Sequence, residues 1–472
     1  MKKLTNILFL AVVSLVAVAQ SSAPGVFLMH PGTESASIST LVVNARTGDI
    51  LDSYNPDLVL TPASCTKLLT TCTALEVLGA DFRFSTYLES GAPVVNGVLQ
   101  GDLFIRGTGD PTLGSRRVGD PLFLRRWVSA LRRQGINHIN GRIVADLSWF
   151  DDDAANPDWQ WEDMGNYYAP GISAIAYLDN TMVLNLRSGV IGEGVEVVST
   201  NPVYPGLEFV NAIKAAPISY DDAYVRGVPF SNTRYLRGRV PANRETFGLK
   251  GDLPNPGLLL AIHLKSALLD SGIVVDGEAS WTLDPDTLPR RVLYEYQSEP
   301  LSEIVKETNM ESNNLYAEQL FRYLGSRIGT PATIEGSLSV ERQCWTNRGV
   351  DLRAAILHDG CGLAYNNAIS ARQFVGLLQY MQKRSKSWEA FYESLPVSGE
   401  SGTLKSLLKD TPLQGRVHAK SGTIAHVKSY AGYIEAPNGD TYIFAVILNH
   451  TACKSRVSQN LIGKYLLEVF EL

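Results

Sequence analysis

The sequence predicts a mixed α/β (α+β) protein whose main domain is built from both ends of the chain and carries a large β-rich insertion. An apolar strand pair leads directly into a helix near the start. Short β-like runs separated by Gly, Asp, Asn and Pro fill the middle, and long helical patterns with a further strand pair return after Pro289. The expected boundaries are 20–83 and 290–472 for the main domain and 84–289 for the insertion, with a sub-domain over about 180–250.

The N-terminus predicts export. Lys2 and Lys3 precede an apolar stretch, and Ala17-Val18-Ala19 fits the small-residue rule for cleavage, so residues 1–19 are expected to be a signal peptide. No other segment is long and apolar enough to span a bilayer, and no cysteine follows the cleavage point to take a lipid. We therefore expect an exported protein without a membrane span after cleavage.

Charge and cysteine content argue against several classes of function. The net charge of −6 offers no basic surface for nucleic acid. The five cysteines lack metal-ligand spacing, and an odd number in an exported chain leaves at least one free thiol. We expect no metal, no cofactor and no nucleic-acid partner. Cys65 and Cys72, seven residues apart, are expected to be small buried apolar groups on one helix.

The individual elements follow from local patterns. Two apolar runs around the turn at Gly48 predict a hairpin over 39–54. Pro62 followed by an apolar run without proline or glycine until Gly79 predicts a helix. The other expected elements are strands over 103–105 and 141–145, helices over 257–269, 301–327 and 371–382, strands over 417–424, 430–435 and 441–449, and a last helix over 459–470.

The helix that follows Pro62 contains the first chemical signal. Ser64 lies in its expected first turn and Lys67 three residues later, which places both side chains on one helical face. A serine hydroxyl needs a neighbour to take its proton, and a lysine with a lowered pKa can do so. The helix N-terminus adds N–H groups that favour a developing oxyanion.

Two later motifs suit the same chemistry. Ser312 and Asn314 lie two apart at a helix boundary, where an extended loop would project both side chains into one cleft. The run 417–424 includes Lys420-Ser421-Gly422-Thr423. Its lysine offers a charge for a carboxylate, Ser421 and Thr423 offer hydroxyls, and the glycine indicates close approach of another backbone. The N–H groups of Ser64 and Thr423 are candidates for an oxyanion hole.

Each motif alone is common. Ser406 and Lys409 repeat the first one and are expected to be a solvated helix end, and a Ser-x-Asn sequence often caps a helix. The order Ser-x-x-Lys, Ser-x-Asn, Lys-Ser-Gly is far less common, and it is typical of penicillin-binding proteins and class A β-lactamases.

Three further features narrow the resemblance. The separation of Lys67 from Ser312 is much longer than in a class A β-lactamase, and the segments Gly107–Leu113 and Asp359–Leu363 match Gly-x-Gly-Asp-Pro-Thr-Leu and Asp-Gly-Ser-Gly-Leu patterns. The chain thereby resembles the low-molecular-mass class C penicillin-binding proteins, the D-alanyl-D-alanine carboxypeptidases/endopeptidases. The resemblance covers the whole mature chain.

The resemblance implies the penicillin-recognising acyl-serine transferase fold, a central antiparallel sheet flanked by helices with a helical subdomain. It implies a periplasmic serine carboxypeptidase and DD-endopeptidase that cleaves peptidoglycan stem peptides and is acylated by β-lactams. Ser64 would be the nucleophile and Lys67 the base. Ser312 would help protonate the leaving amine, and Asn314 would position Lys67 and the substrate amide.

Residues 161–168 resemble a family segment that brings an acid to the free amine of the stem peptide's diamino acid, so Asp163 is the candidate and Tyr168 a wall of the site. A surface aspartate is the alternative. Lys-Ser-Gly replaces the commoner Lys-Thr-Gly, and Cys361 stands where serine is usual. Tyr365 stands where the family has an arginine, which puts the preferred diamino-acid substituents in doubt.

Two other functions compete with this interpretation. A serine β-lactamase would share the motifs, but the chain lacks a glutamate loop of the class A kind. A non-catalytic cell-wall binding protein would keep the pocket without needing the complete set of motifs. Rapid β-lactam turnover would favour the β-lactamase. Unchanged wall chemistry after Ser64→Ala would favour the binding protein.

Overall fold

The computed structural model describes residues 21–284 and 289–471, so the predicted signal peptide lies outside the described residues. Within these ranges no helix combines the length and apolarity needed to cross a bilayer. The helices are α1 Thr66–Leu78, α2 Phe123–Arg133, α3 Pro256–Asp270, α4 Leu301–Met310, α5 Asn314–Gly325, α6 Ile334–Asn347, α7 Ala371–Arg384, α8 Trp388–Glu393 and α9 Ser455–Val469.

The strands are short in the middle of the chain and longer at its two ends. In chain order they are β1 Ser37–Asn44, β2 Ile50–Tyr54, β3 Ser85–Ser90, β4 Val94–Val95, β5 Val98–Leu99, β6 Leu103–Arg106, β7 His138–Ile139, β8 Ile143–Asp146, β9 Thr181–Ser188, β10 Val195–Asn201, β11 Glu208–Asn211, β12 Lys214–Ala216, β13 Asp222–Arg226, β14 Thr233–Pro241, β15 Arg244–Asp252, β16 Val274–Val275, β17 Ala279–Thr282, β18 Arg291–Gln297, β19 Val417–Ile424, β20 Val427–Glu435 and β21 Thr441–Asn449.

Both ends of the chain build one five-stranded antiparallel sheet, the principal sheet, in the order β19-β20-β21-β1-β2. The predicted β1–β2 hairpin is confirmed, with Thr40 opposite Tyr54. The β20–β21 hairpin is confirmed as well, and Gly439 supplies the left-handed residue of its turn at φ 87°. The predicted mixed α/β class, with an antiparallel sheet flanked by helices, is therefore confirmed.

Each face of the principal sheet is covered by helices. On one face, residues of α1 and α4 to α8 form an apolar core with the inward side chains of β1, β20 and β21. On the other face α9 and the turn Pro24–Leu28 pack against the alternate side chains of the same strands. This alternation is the expected pattern for a sheet buried on both sides. The helix α1 thereby lies between the sheet and the other helices.

The chain from β3 to β18 forms four further sheets with a separate apolar core that runs from Leu88 to Tyr296. Two of these sheets are built from strands β9 to β15, within the range of the expected sub-domain, and their apolar residues belong to that same core. Phe150, Trp159 and Ile172 instead pack into the core that contains α1. This part of the insertion is thereby held against the helices. The domain boundaries stay a prediction.

Several elements differ from expectation. The helical pattern over 301–327 is two helices, α4 and α5, that meet at Ser312. The helices α2, α6 and α8 were not predicted, although α2 buries Phe123, Trp127 and Leu131 at a spacing of four. Ser406 and Lys409 are exposed as expected, but they lie in a turn and not at a helix end.

Candidate active site

Ser64 lies in a single 3₁₀ turn, Ala63–Cys65, which runs into α1. Two close backbone approaches fix this turn. A Cβ on Gly362 would lie 1.9 Å from the Ala63 carbonyl oxygen, and a Cβ on Gly422 would lie 2.3 Å from the Pro62 carbonyl oxygen. Only glycine allows such contacts, so the nucleophile's backbone is held between the loop at Gly362 and strand β19.

Lys67 is fully buried, and its amine contacts three oxygens. Lys67 Nζ lies 3.0 Å from Ser64 Oγ, 2.6 Å from Asn314 Oδ1 and 2.7 Å from the Cys361 carbonyl oxygen. Both carbonyl oxygens are acceptors only, so they take two N–H bonds of the amine. A neutral Lys67 is then left with its lone pair for the Ser64 hydroxyl.

Burial determines the charge state of this amine. Desolvation lowers the pKa of Lys67, since the ammonium form loses its hydration inside the protein, while the buried acidic side chains of Cys361, Asp359 and Glu318 act in the opposite direction. The net direction is downward, which favours the neutral base.

The Cys361 carbonyl that contacts Lys67 belongs to a tightly held turn. Glu318 Oε1 accepts the N–H groups of Gly360 and Cys361, at 2.8 and 2.7 Å. Asp359 accepts the N–H groups of the three residues that follow Cys361, together with side-chain N–H groups of Trp159 and Asn367. Two buried carboxyl groups therefore fix the direction of the carbonyl.

Glu318 was not among the residues predicted from the sequence. Burial, and the nearby Asp359, raise the pKa of Glu318 to about 8. Glu318, Asp359 and Cys361 have donor atoms within 4.8 Å of one another, but the oxygens already accept the N–H groups of the turn, so the cluster serves to hold the backbone. The available signal was an acid four residues after Asn314, on the same face of α5.

Ser312 and Asn314 reach the cleft, but not from an extended loop as expected. Helix α4 ends in a Schellman motif, in which Asn313 N–H donates to the Thr308 carbonyl at 3.1 Å and Ser312 is left-handed at φ 59°. Asn314 is the first residue of α5. Its Nδ2 donates to the Tyr168 carbonyl at 2.8 Å, which turns Oδ1 toward Lys67.

Strand β19 forms the opposite wall and is one of the two edge strands of the principal sheet. Lys420 Nζ donates to Ser312 Oγ at 2.9 Å and to the Ser421 carbonyl at 2.8 Å. Burial, with a smaller contribution from repulsion by Lys67, lowers the pKa of Lys420 to about 7. The Ser421 hydroxyl donates to that of Thr403 at 2.8 Å.

The cleft between these elements is a cavity of about 350 Å³. Tyr168 stands in its wall and its hydroxyl donates to Asp163 Oδ1 at 3.0 Å. Burial raises the pKa of Asp163, and the bond from Tyr168 opposes this. The lining residues are Ser64, Asp163, Tyr167, Tyr168, Ser312, Asn314, Gly362, Leu363, Tyr365, Thr423, Ile424 and Ala425.

The structure thus brings nearly every predicted residue to one place. Lys67, Lys420, Ser421 and Gly422 are buried directly behind the lining. The Thr423 hydroxyl accepts a bond from Lys428 Nζ at 2.8 Å. Lys428 is a third lysine of the site and was not predicted from the sequence.

Comparisons with known proteins agree with this geometry. The sequence profile of the D-Ala-D-Ala carboxypeptidase 3 (S13) family matches residues 26–466. The D-alanyl-D-alanine carboxypeptidase of Actinomadura sp. (strain R39) is 31% identical over 463 residues, covering 93% of this chain and 83% of that protein. The D-alanyl-D-alanine carboxypeptidase DacB of Haemophilus influenzae is 26% identical over 425 residues, covering 88% of this chain and 86% of that one.

The fold agrees as well. The crystal structure of penicillin binding protein 4 (dacB) from Haemophilus influenzae superposes with a TM-score of 0.83 at 24% identity, covering 96% of this chain and 100% of that one. The family profile spans nearly the whole described chain, both parts of the principal sheet and the insertion. The chain therefore belongs to the D-Ala-D-Ala carboxypeptidase 3 (S13) family.

Proposed function

We propose that the protein is a serine D-Ala-D-Ala carboxypeptidase and DD-endopeptidase that uses Ser64 as nucleophile and Lys67 as general base. The observation on which this depends most is the buried Lys67 amine, 3.0 Å from Ser64 Oγ, with its N–H bonds directed at two carbonyl oxygens. As Ser64 Oγ attacks the carbonyl carbon of the penultimate D-alanine, its proton passes to the Lys67 lone pair.

The negative charge that develops on the substrate oxygen needs donors. The N–H groups of Ser64 and Thr423 are proposed for this role, since one begins a helix and the other lies on the strand beside it. The close approach of Gly422 to Pro62 supports the assignment, because it fixes the distance between these two backbones.

The substrate's terminal carboxylate is proposed to bind Lys420 and the Ser421 hydroxyl. The pKa of Lys420 is lowered to about 7 in the free protein, and a bound carboxylate would raise it by stabilising the ammonium. A charged Lys420 then disfavours a second charge on Lys67. The proton that Lys67 took from Ser64 returns through Ser312, which lies 2.9 Å from Lys420 Nζ, to the leaving amine. Water then hydrolyses the acyl-enzyme.

The acyl side of the substrate is proposed to lie against Asp163 and Tyr168. A free amine on a diamino acid would pair with the Asp163 carboxylate, and the bond from Tyr168 holds that carboxylate in place. The same acyl-side contact is available in D-Ala–diamino acid crosslinks and in D-Ala-D-Ala termini, and we propose that both are cleaved. Tyr365 lines the same cavity and offers a phenol where the family has an arginine.

β-Lactams are proposed to acylate Ser64 and to deacylate slowly, since their strained amide presents a carbonyl and a carboxylate at the same spacing as the peptide. The Haemophilus influenzae protein has been solved in complex with a β-lactam. The proposed place of action is the periplasm, which the residues 1–19 support through their signal-peptide pattern.

Digestion of purified muropeptides tests the function. The mature enzyme should convert a pentapeptide monomer to the tetrapeptide and a crosslinked dimer to monomers, and Ser64→Ala should abolish both reactions. Ser406→Ala is the matched control, because Ser406 occupies an exposed Ser-x-x-Lys pair and should leave both unchanged. Unchanged digestion by Ser64→Ala would refute the assignment.

A further inference from the structure

A second cavity, of about 450 Å³, adjoins the cleft. Tyr167, Tyr168, Ser312 and Asn314 stand in the walls of both cavities. The cleft alone is at the small end of the range of about 300–1,000 Å³ typical of ligand sites. A substrate with two peptide strands therefore has more to place than the cleft holds, and the space next to it is this cavity.

The far wall of the second cavity is held in a strained conformation. Leu178, Asp179 and Asn180 are all left-handed, at φ 53°, 56° and 47°, and none is glycine. Such conformations persist where surrounding bonds impose them. Asn180 supplies those bonds, since its side chain accepts the Tyr177 N–H at 2.9 Å and donates to the Gly171 carbonyl at 2.9 Å.

Three cations line the second cavity, and two of them form no ion pair with a described residue. Arg117 is paired with Glu307 at 2.7 Å. Arg116 and Lys250 are exposed, and neither forms an ion pair with any described residue. Lys250 Nζ lies 5.3 Å from the centre of the Tyr167 ring, which holds the lysine at the boundary between the two cavities.

Carboxylates are present in the same walls. Asp179 and Glu311 line the cavity near Arg117. The wall therefore presents charges of both signs and is unsuited to an apolar ligand. A peptide segment that has free carboxylates and a free amine matches it.

The position of Ser312 indicates which part of the substrate lies there. Ser312 is in the wall of both cavities, and it is the group assigned to protonate the leaving amine. In trimming of a terminus the leaving group is a single D-alanine. In cleavage of a crosslink it is an entire stem peptide, which continues past Ser312.

We propose that the second cavity binds the leaving strand of a crosslinked stem-peptide dimer, with Arg116 and Lys250 receiving its carboxylates. The proposal rests on the proposed function. It makes the two residues determinants of specificity for crosslink cleavage over terminal trimming.

The test compares kcat/KM of the full mature enzyme on three substrates. These are a short acylated Lys-D-Ala-D-Ala peptide, a monomeric disaccharide pentapeptide and a crosslinked dimer without terminal D-Ala-D-Ala. The variant is Arg116→Ala/Lys250→Ala, and a charge-reversed Arg116→Glu/Lys250→Glu protein adds repulsion. The matched control is Arg353→Ala/Lys464→Ala, two exposed cations outside both cavities.

The Ala variant should lose about tenfold in kcat/KM on the dimer, and the Glu variant should lose more. The kcat/KM of both variants on the two monomeric substrates should equal that of the wild type. Equal loss on the dimer and the disaccharide pentapeptide would mean that the cavity binds the acyl strand, which overturns the proposal. Unchanged dimer cleavage would also overturn it. A wild-type enzyme that trims the pentapeptide but leaves the dimer intact would instead refute the proposed endopeptidase activity.

Discussion

Gly422 is a position where a single methyl group should damage the site without touching a reacting atom. A Cβ there would lie 2.3 Å from the Pro62 carbonyl oxygen and 2.3 Å from Ser429 Oγ. Non-bonded heavy atoms at their optimal separation lie about 3.5 Å apart, so strand β19 and the turn that holds Ser64 would have to separate by about 1 Å. That movement would widen the proposed oxyanion hole between Ser64 and Thr423.

A misplacement of about 1 Å costs about 10²-fold in rate. Gly422→Ala should therefore slow acylation by a fluorescent penicillin about 10²-fold, measured as the second-order rate constant. Gly376→Ala is the control, since a Cβ on Gly376 in α7 meets nothing closer than 3.9 Å, and its acylation should equal that of the wild type. Thermal unfolding of both variants establishes that they are folded. A folded Gly422→Ala protein that acylates within about twofold of the wild type would refute the reasoning.

Three other predictions follow from the site. Glu318→Ala removes the acceptor of the Gly360 and Cys361 N–H groups and leaves buried donors unpaired, so acylation measured by stopped flow should slow at least about tenfold. Glu318→Gln keeps the acceptor and resembles the neutral carboxyl that a pKa of about 8 favours at pH 7, so its acylation rate should be near that of the wild type. The pKa of Lys420 is lowered to about 7, so its ammonium form is lost as the pH rises through that value, and KM for a D-Ala-D-Ala peptide should rise there. Lys420→Arg keeps its charge at every such pH and should remove this pH dependence of KM. Asp163→Asn should lower kcat/KM about tenfold on a peptide with a free side-chain amine and leave its N-acetylated form unchanged, which paired kinetic assays measure; equal effects on both peptides would contradict the assignment.

Local spacing was enough to anticipate much of the site. Ser64 and Lys67 are three residues apart, and Lys67 Nζ lies 3.0 Å from Ser64 Oγ. Ser64 lies in a 3₁₀ turn, where residues i and i+3 also project in the same direction, so the spacing rule still holds. The close approach at Gly422 was also indicated by a glycine within a strand pattern, and the backbone it meets is that of Pro62. Both cases depend on short stretches of chain.

The features of the site that were not predicted depend on contacts between segments that are distant in the sequence. Glu318 holds the Cys361 carbonyl that contacts Lys67, and nothing in local spacing links a residue of α5 to that turn. Ser312 is left-handed because the end of α4 is closed by the bond from Asn313 to Thr308, so the expected extended loop was wrong. The helix α2 was not predicted because short β-like runs surround it in the sequence.

The most direct test of the account is intact-protein mass spectrometry of the mature enzyme after brief incubation with a penicillin, followed by peptide mapping. We predict a stable one-to-one adduct on Ser64, absent from Ser64→Ala, formed at least about 10²-fold more slowly in Lys67→Ala, and formed normally in the exposed control Lys409→Ala. Adduct formation on another residue, or at the wild-type rate in Lys67→Ala, would contradict the assignment of nucleophile and base. Hydrolysis of the drug without a lasting adduct would contradict slow deacylation and indicate a β-lactamase.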